Sequence, residues 1–208
     1  MKRLIIIVTL VCSYFMSNAQ ALSKPMQDYK CACLKLVEGI NSDFDKYILS
    51  DAIDLFRKVK ITEIPDELCV PVENNTDAEI LPKIYFVKAY ADSLIRAQKI
   101  VELDNISIVN KGEDNDIFIK HKGIKAHTSV SYKSIGNGSC EMMIIGYPSS
   151  SLSLNIRDIT SDNVYHGRTE DSTNVTYCIW TLPKNDTEFI FTIENLSDAD
   201  ATVVIAIN

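Results

Sequence analysis

Near Asn105 the spacing of apolar residues changes period, and this change restricts the fold more than any other feature of the chain. Before it, apolar residues recur at the three-to-four-residue spacing of a helix; after it they alternate, as on a half-buried strand. Residues 26–40 place Met26, Tyr29, Cys33, Leu36, Val37 and Ile40 on one stripe, with Pro25 in front, where a missing amide proton costs nothing. A second helix is expected from Asp43, with Ile48, Ala52, Leu55, Phe56 and Val59 inward and Ser42 or Asp43 as its cap. A third is expected over residues 82–103, with Val87, Ala91, Leu94, Ile95 and Val101 on one side. Between the last two, residues 60–81 carry Pro65, Pro71 and the polar run Glu73 to Asp77, and read as an ordered loop with room for a short extended piece.

From Asn105 onward β-branched and aromatic residues dominate, and strands are expected near 106–110, 116–122, 127–132, 140–147, 152–158, 174–181, 188–194 and 201–207. The cleanest alternation is Leu152 to Arg157, with Leu152, Leu154 and Ile156 inward and Ser153, Asn155 and Arg157 outward. Gly136-Asn-Gly138, Tyr147 to Ser151, Leu182 to Asn185 and Leu196 to Ala199 punctuate the rest. Many short strands with no helical period between them predict an antiparallel sandwich, because antiparallel neighbours tolerate short connections and parallel ones do not. The expected fold class is α+β: N-terminal amphipathic helices packed on a C-terminal antiparallel, jelly-roll-like β-sandwich. The division expected is 1–21, 22–104 (helical) and 105–208 (sandwich). The strand at Leu152 to Asp158, the polar loop with Tyr165-His-Gly167, Ile179 to Pro183, Phe189 to Asn195 and the last strand from Ala201 to Asn208 together resemble the pre-peptidase C-terminal type of secreted jelly-roll sandwich. The resemblance covers about half the chain, rests on strand rhythm, and implies a binding or secretion accessory; no enzyme domain accompanies it here.

Residues 1–21 read as a Sec-type signal peptide: Met1-Lys2-Arg3, an apolar run from Leu4 to Val11, then small or polar residues to Ala21. Ala19 and Ala21 both fit a cleaving enzyme that wants small residues. The run is shorter than the ~20 apolar residues of a spanning helix, so no transmembrane segment is expected in the mature chain, which should be secreted or periplasmic. Removing these residues takes away Lys2 and Arg3 and no acid, so a net charge of −7 becomes −9. An acidic surface repels phosphate backbones, which excludes nucleic acid as a partner and leaves an unknown protein or a glycan. Five cysteines follow the leader, Cys31, Cys33, Cys69, Cys140 and Cys178. Cys31 and Cys33 lie about 200° apart on a helix, so Cys33 falls on the apolar stripe and Cys31 off it. A Cys31–Cys69 disulfide is expected, with the other three as buried thiols.

Catalytic signatures are missing: there is no His-Glu-x-x-His, no Gly-x-Ser-x-Gly and no Gly-rich phosphate loop. No catalytic residue, metal ligand or cofactor is assigned. The expectation is a non-enzymatic binding or structural accessory protein, with a carbohydrate-binding module or a hydrolase with a dispersed Ser/His/Asp site as alternatives. Three histidines are present. His121 follows Ile117 and Ile119 in register and reads as a satisfied core histidine. His127 shares a pattern with Ser129 and Ser131, a Ser-rich solvent face. His166 sits in the expected loop beside Tyr165. Tyr165, His166 and Trp180 are the ligand-binding candidates, the indole because it could stack on a sugar ring. Gly112 to Asp116 gathers hard oxygen ligands but lacks calcium-loop spacing, and reads as an acidic turn. Sequons begin at Asn74, Asn105, Asn137, Asn174, Asn185 and Asn195.

Overall fold

A computed structural model describes residues 21–72, 84–97, 116–148, 150–170, 174–182 and 187–208. The expected leader up to residue 20, the strand expected at 106–110, the polar run at 73–77, Val101 and most of the acidic turn expected at 112–116 lie outside these ranges. Three helices, α1 (Lys24–Asn41), α2 (Lys46–Phe56) and α3 (Lys88–Ala97), cover one face of a six-stranded sheet. A five-stranded sheet covers the other face. The strands are β1 (Lys60–Glu63), β2 (Val70–Pro71), β3 (Asp116–Ile124), β4 (Ser129–Gly136), β5 (Ser139–Tyr147), β6 (Leu152–Asp158), β7 (Val164–His166), β8 (Arg168–Thr169), β9 (Val175–Thr181), β10 (Thr187–Asn195) and β11 (Ala201–Ile207). The inner sheet runs β1-β3-β11-β5-β9-β8 and the outer sheet β2-β4-β10-β6-β7. All neighbours are antiparallel except β1 and β3. The α+β class with a C-terminal sandwich is therefore observed. No helix among the described residues is long and apolar enough to cross a membrane.

The layering explains which strands alternate. In β5 and β11, Met143, Ile145, Val204 and Ala206 face the helices, while Met142, Ile144, Val203 and Ile205 face the outer sheet. Both strands are covered twice, so both read as unbroken apolar runs. β6 and β10 belong to the outer sheet and keep one wet face, hence their strict alternation of buried and half-exposed residues. Phe189, Phe191, Trp180, Tyr132 and Ile156 fill the space between the sheets.

On the helical side the details differ from expectation. Asp43 and Phe44 both have positive φ, 52° and 61°, so the chain turns through a left-handed corner before α2 can start. Asp45, two residues later than expected, is the cap, its Oδ1 accepting from Tyr47 N at 2.8 Å and Ile48 N at 3.2 Å. The buried stripe of α2 is Leu49, Ala52, Ile53 and Phe56, displaced from the expected Ile48 and Leu55. Gly39 admits this rotation: a Cβ there would lie 2.8 Å from Leu49 Cδ2. α1 rests on β3 and β5, α2 on α1, and α3 on α2. Residues 84–87 precede α3 without being helical, and Phe86 is held from two layers. Its N–H donates to His121 Nε2 of β3 (2.9 Å), and its carbonyl accepts from the Tyr29 hydroxyl of α1 (3.0 Å).

Residues 60–72, expected as a loop, close one side of the sandwich. β1 pairs with β3, Ile64 N–H donates to Ile119 O, and after a short 3-10 turn β2 pairs with β4. The segment therefore passes from inner to outer sheet, burying Cys69 and Ile64 on the way. Residues 164–169 do the same on the opposite side, with β7 on β6 and β8 on β9. The pivot is Gly167, whose N–H donates to Leu154 O at 2.7 Å and where a Cβ would lie 2.8 Å from Thr176 Cγ2 and 2.9 Å from Leu154 Cβ. Strands that switch sheets are how sandwich corners are made. The inner sheet also holds the start of α1: Glu141 on β5 accepts from Ser23 N, and Asn208 Nδ2 donates to Ser23 Oγ.

Candidate functional site

Among the described elements, none packs on the outward face of the outer sheet. Alternation brings Ser131 and Lys133 of β4 to that face, Glu188, Ile190, Thr192 and Glu194 of β10, and Ser153, Asn155 and Arg157 of β6. Register then aligns them. Ser131 lies opposite Thr192, Thr192 opposite Asn155, and Asn155 opposite His166. One hydrogen-bonding side chain from each of four adjacent strands thus forms a row across the sheet. Its members hold one another: Ser131 Oγ is 2.8 Å from Thr192 Oγ1, and His166 Nδ1 is 2.6 Å from Asn155 Oδ1. With the Asn155 carbonyl accepting, the imidazole donates from Nδ1.

The next row is Lys133, Ile190, Arg157 and Val164. Its cations are paired at short range, Lys133 Nζ with Glu188 (2.7 Å) and the Arg157 guanidinium with Asp162 (2.6 Å). Ile135, Ile159 and Val164 add exposed aliphatic surface to the same face. The face therefore offers hydrogen-bonding groups beside aliphatic patches, with the cations Lys133 and Arg157 paired locally. Such a surface suits contact and orientation.

The three sequence candidates do not converge. His166 belongs to β7, not to a loop, and is exposed, because residues 164–166 pair with Asn155 to Arg157. Tyr165, its neighbour in the strand, points the other way and packs against the core between the sheets. Trp180 lies on β9 of the inner sheet, 2% exposed and edge-on to Phe189 at 5.4 Å between centroids. Its ring face is enclosed, so it cannot stack on a sugar in this fold. Its Nε1 has no partner among the described residues. Thr192 was not singled out from sequence, although its place between inward Phe191 and Ile193 marks it as outward.

The other histidines serve the fold. His121 is satisfied, as expected, but half-buried at the edge of the helical-side core. Burial lowers its pKa to about 4, it accepts from Phe86 N, and it stacks on the Phe86 ring. His127 lies in a turn before β4 with φ 55°, so it is not on the strand with Ser129 and Ser131. Its Nε2 contacts Asp198 Oδ1 at 2.8 Å, and both side chains are largely in water. A histidine and carboxylate alone activate nothing without a nucleophile in reach, and Ser131 is bonded to Thr192. No cluster of three metal-ligating side chains occurs among the described residues.

Among the described residues the five cysteines are unpaired. Cys31 is exposed on α1, whereas Cys69 is buried between the sheets, so the inner sheet separates them and the expected bridge is not formed. Burial raises the Cys69 and Cys178 thiols to about 11. It also pushes those of Cys33 and Cys140 upward.

No protein-family model matches the chain, and no curated protein does. Several solved structures are similar over part of it. The pre-peptidase C-terminal domain of a Bacillus anthracis collagenase is 6% identical, the likeness covering 43% of this chain and 88% of that one at a TM-score of 0.35. PliG from Aeromonas hydrophila, a periplasmic inhibitor of g-type lysozyme, is 9% identical over 44% of this chain and 84% of its own, at a TM-score of 0.31. The capsular polysaccharide assembling protein CapF of Staphylococcus aureus is 12% identical, covering 58% of this chain and 32% of that one, at a TM-score of 0.23.

Proposed function

We propose that this is a secreted or periplasmic, non-enzymatic binding or structural accessory protein, and that the outward face of the outer sheet is its contact surface. The observation that carries the reading is the in-register row Ser131, Thr192, Asn155 and His166, pre-ordered by its own hydrogen bonds on a face that no described element covers. Pre-ordered groups lose little entropy when a partner arrives, which favours recognition. The charged, apolar and small-residue order of residues 1–21 supports export. The acidic mature chain supports a partner other than nucleic acid.

A carbohydrate-binding reading comes second. The row favours it, since hydroxyls, an amide and an imidazole are the groups that hydrogen-bond polyols; Trp180 contributes nothing to it. The test is a thermal-shift screen of residues 22–208 against glycans, peptides and metal salts, because a ligand of the native state raises apparent stability by mass action. A hit that disappears in Asn155→Ala and Thr192→Ala supports the surface. Hits that survive both changes move the site elsewhere. Turnover in an esterase, glycosidase and peptidase panel, abolished by His127→Ala, would replace the accessory reading with the hydrolase.

A further inference from the structure

The connection between β4 and β5 carries the pair Asn137-Gly138, where a backbone amide can attack the side chain before it. Such attack needs an accessible N–H on the following residue and an asparagine side chain free to swing toward it. Elsewhere the described asparagines lack one or the other. Asn41 precedes Ser42, whose N–H is committed to Glu38 O at 2.9 Å. Asn155 is tied to His166, and Asn195 is fully buried with its amide donating to Ala199 O and Lys125 O. Asn163 and Asn174 precede valines, whose branched side chains crowd the attacking nitrogen.

Asn137 is exposed, and the space where a Cβ on Gly138 would stand has no atom within 4 Å. Gly138 has φ +62°, a conformation that keeps glycine at this position. Its carbonyl is fixed by the Leu182 N–H at 2.8 Å, while its own N–H finds no partner among the described residues. We infer that Asn137 is a site of spontaneous deamidation. The Gly138 nitrogen loses its proton and bonds to Asn137 Cγ. The Cγ–Nδ2 bond breaks and the nitrogen leaves as ammonia with the proton. Water then opens the five-membered imide at either carbonyl, leaving aspartate or isoaspartate at 137. No oxidant or cofactor enters the balance.

The change is felt beyond the turn. It adds a negative charge at the crossing between the sheets. In the isoaspartyl form it also lengthens the backbone beside Gly136, around which Leu182, Phe189 and Cys140 already stand at 3.1–3.3 Å from a notional Cβ. The test is peptide mapping of the purified chain held folded at mildly alkaline and at neutral pH, with Asn137→Gln as a variant whose longer side chain closes the ring poorly. Acid and isoaspartyl linkage at 137, forming faster than at any other asparagine, faster at the higher pH, and absent in the variant, are expected. An intact amide at 137 in the folded chain, while the same segment converts in the unfolded chain, overturns the inference. So does conversion elsewhere first. Thermal melting of Asn137→Gln beside the parent confirms that both are folded throughout.

Discussion

The Phe86 peptide shows how single residues bind the layers together. Its N–H requires an imidazole with a free lone pair, so His121 must be neutral. The pKa of His121 falls from the ordinary histidine value of about 6.5 to about 4 on folding because burial disfavours the cation. Between those values the unfolded chain binds a proton that the folded chain does not, so stability rises with pH through this window. The contribution is complete above about pH 6.5 and lost as pH falls to 4, an expected swing of about 3 kcal/mol. Urea unfolding at pH 7 and pH 4.5 should show a larger loss in the parent than in His121→Gln; equal losses would place the acid sensitivity elsewhere. A second residue-scale expectation concerns thiols. In residues 22–208 only Cys31 should react rapidly with a thiol reagent in the native state, and all five cysteines should react after denaturation. A denatured count below five would reveal a bridge.

At the scale of elements, short pieces were harder to read than long ones. α1, β6 and β11 were legible because each has a run of residues long enough to show its period. β7, with three residues, and β2, with two, are too short to have one, and exist only because β6 and β4 lie beside them. The row at the candidate site was half visible. Asn155 and Ser131 could be placed on wet faces by alternation, but which strand neighbours which is a non-local fact, and it decides that they share a row with Thr192 and His166. The burial of Trp180 was hidden for the same reason, because it depends on the second sheet lying over β9. The displaced stripe of α2 depends on a close approach to Gly39 that periodicity does not encode. On α3, Ile95 is buried and Leu94 half-buried, so Ile95→Ala should cost about 2–4 kcal/mol and Leu94→Ala less. The order is checked by denaturant midpoints; a reversal would mean the helix is rotated. Gly167→Val should cost more than about 1 kcal/mol, since the added atoms meet Thr176 and Leu154. Calorimetry reads that loss directly.

On the scale of the whole molecule, the inner sheet belongs to two cores at once. Helices and sandwich should therefore melt together, in one transition with matching calorimetric and van't Hoff enthalpies. Phe191→Ala, in the core between the sheets, should lower the helical signal in step with the strand signal, with a loss of about 3–5 kcal/mol. Two separate transitions would show instead that the helices are an independent unit. The two passages between sheets, at residues 60–72 and 164–169, have a further consequence. Among the described residues they leave only short strands at the sheet margins: four residues in β1, two in β2, three in β7 and two in β8. A neighbouring chain gains little by laying a strand along so brief a ladder. In an assembly this molecule would behave as a tile that meets others more readily through its broad surfaces than along those brief margins.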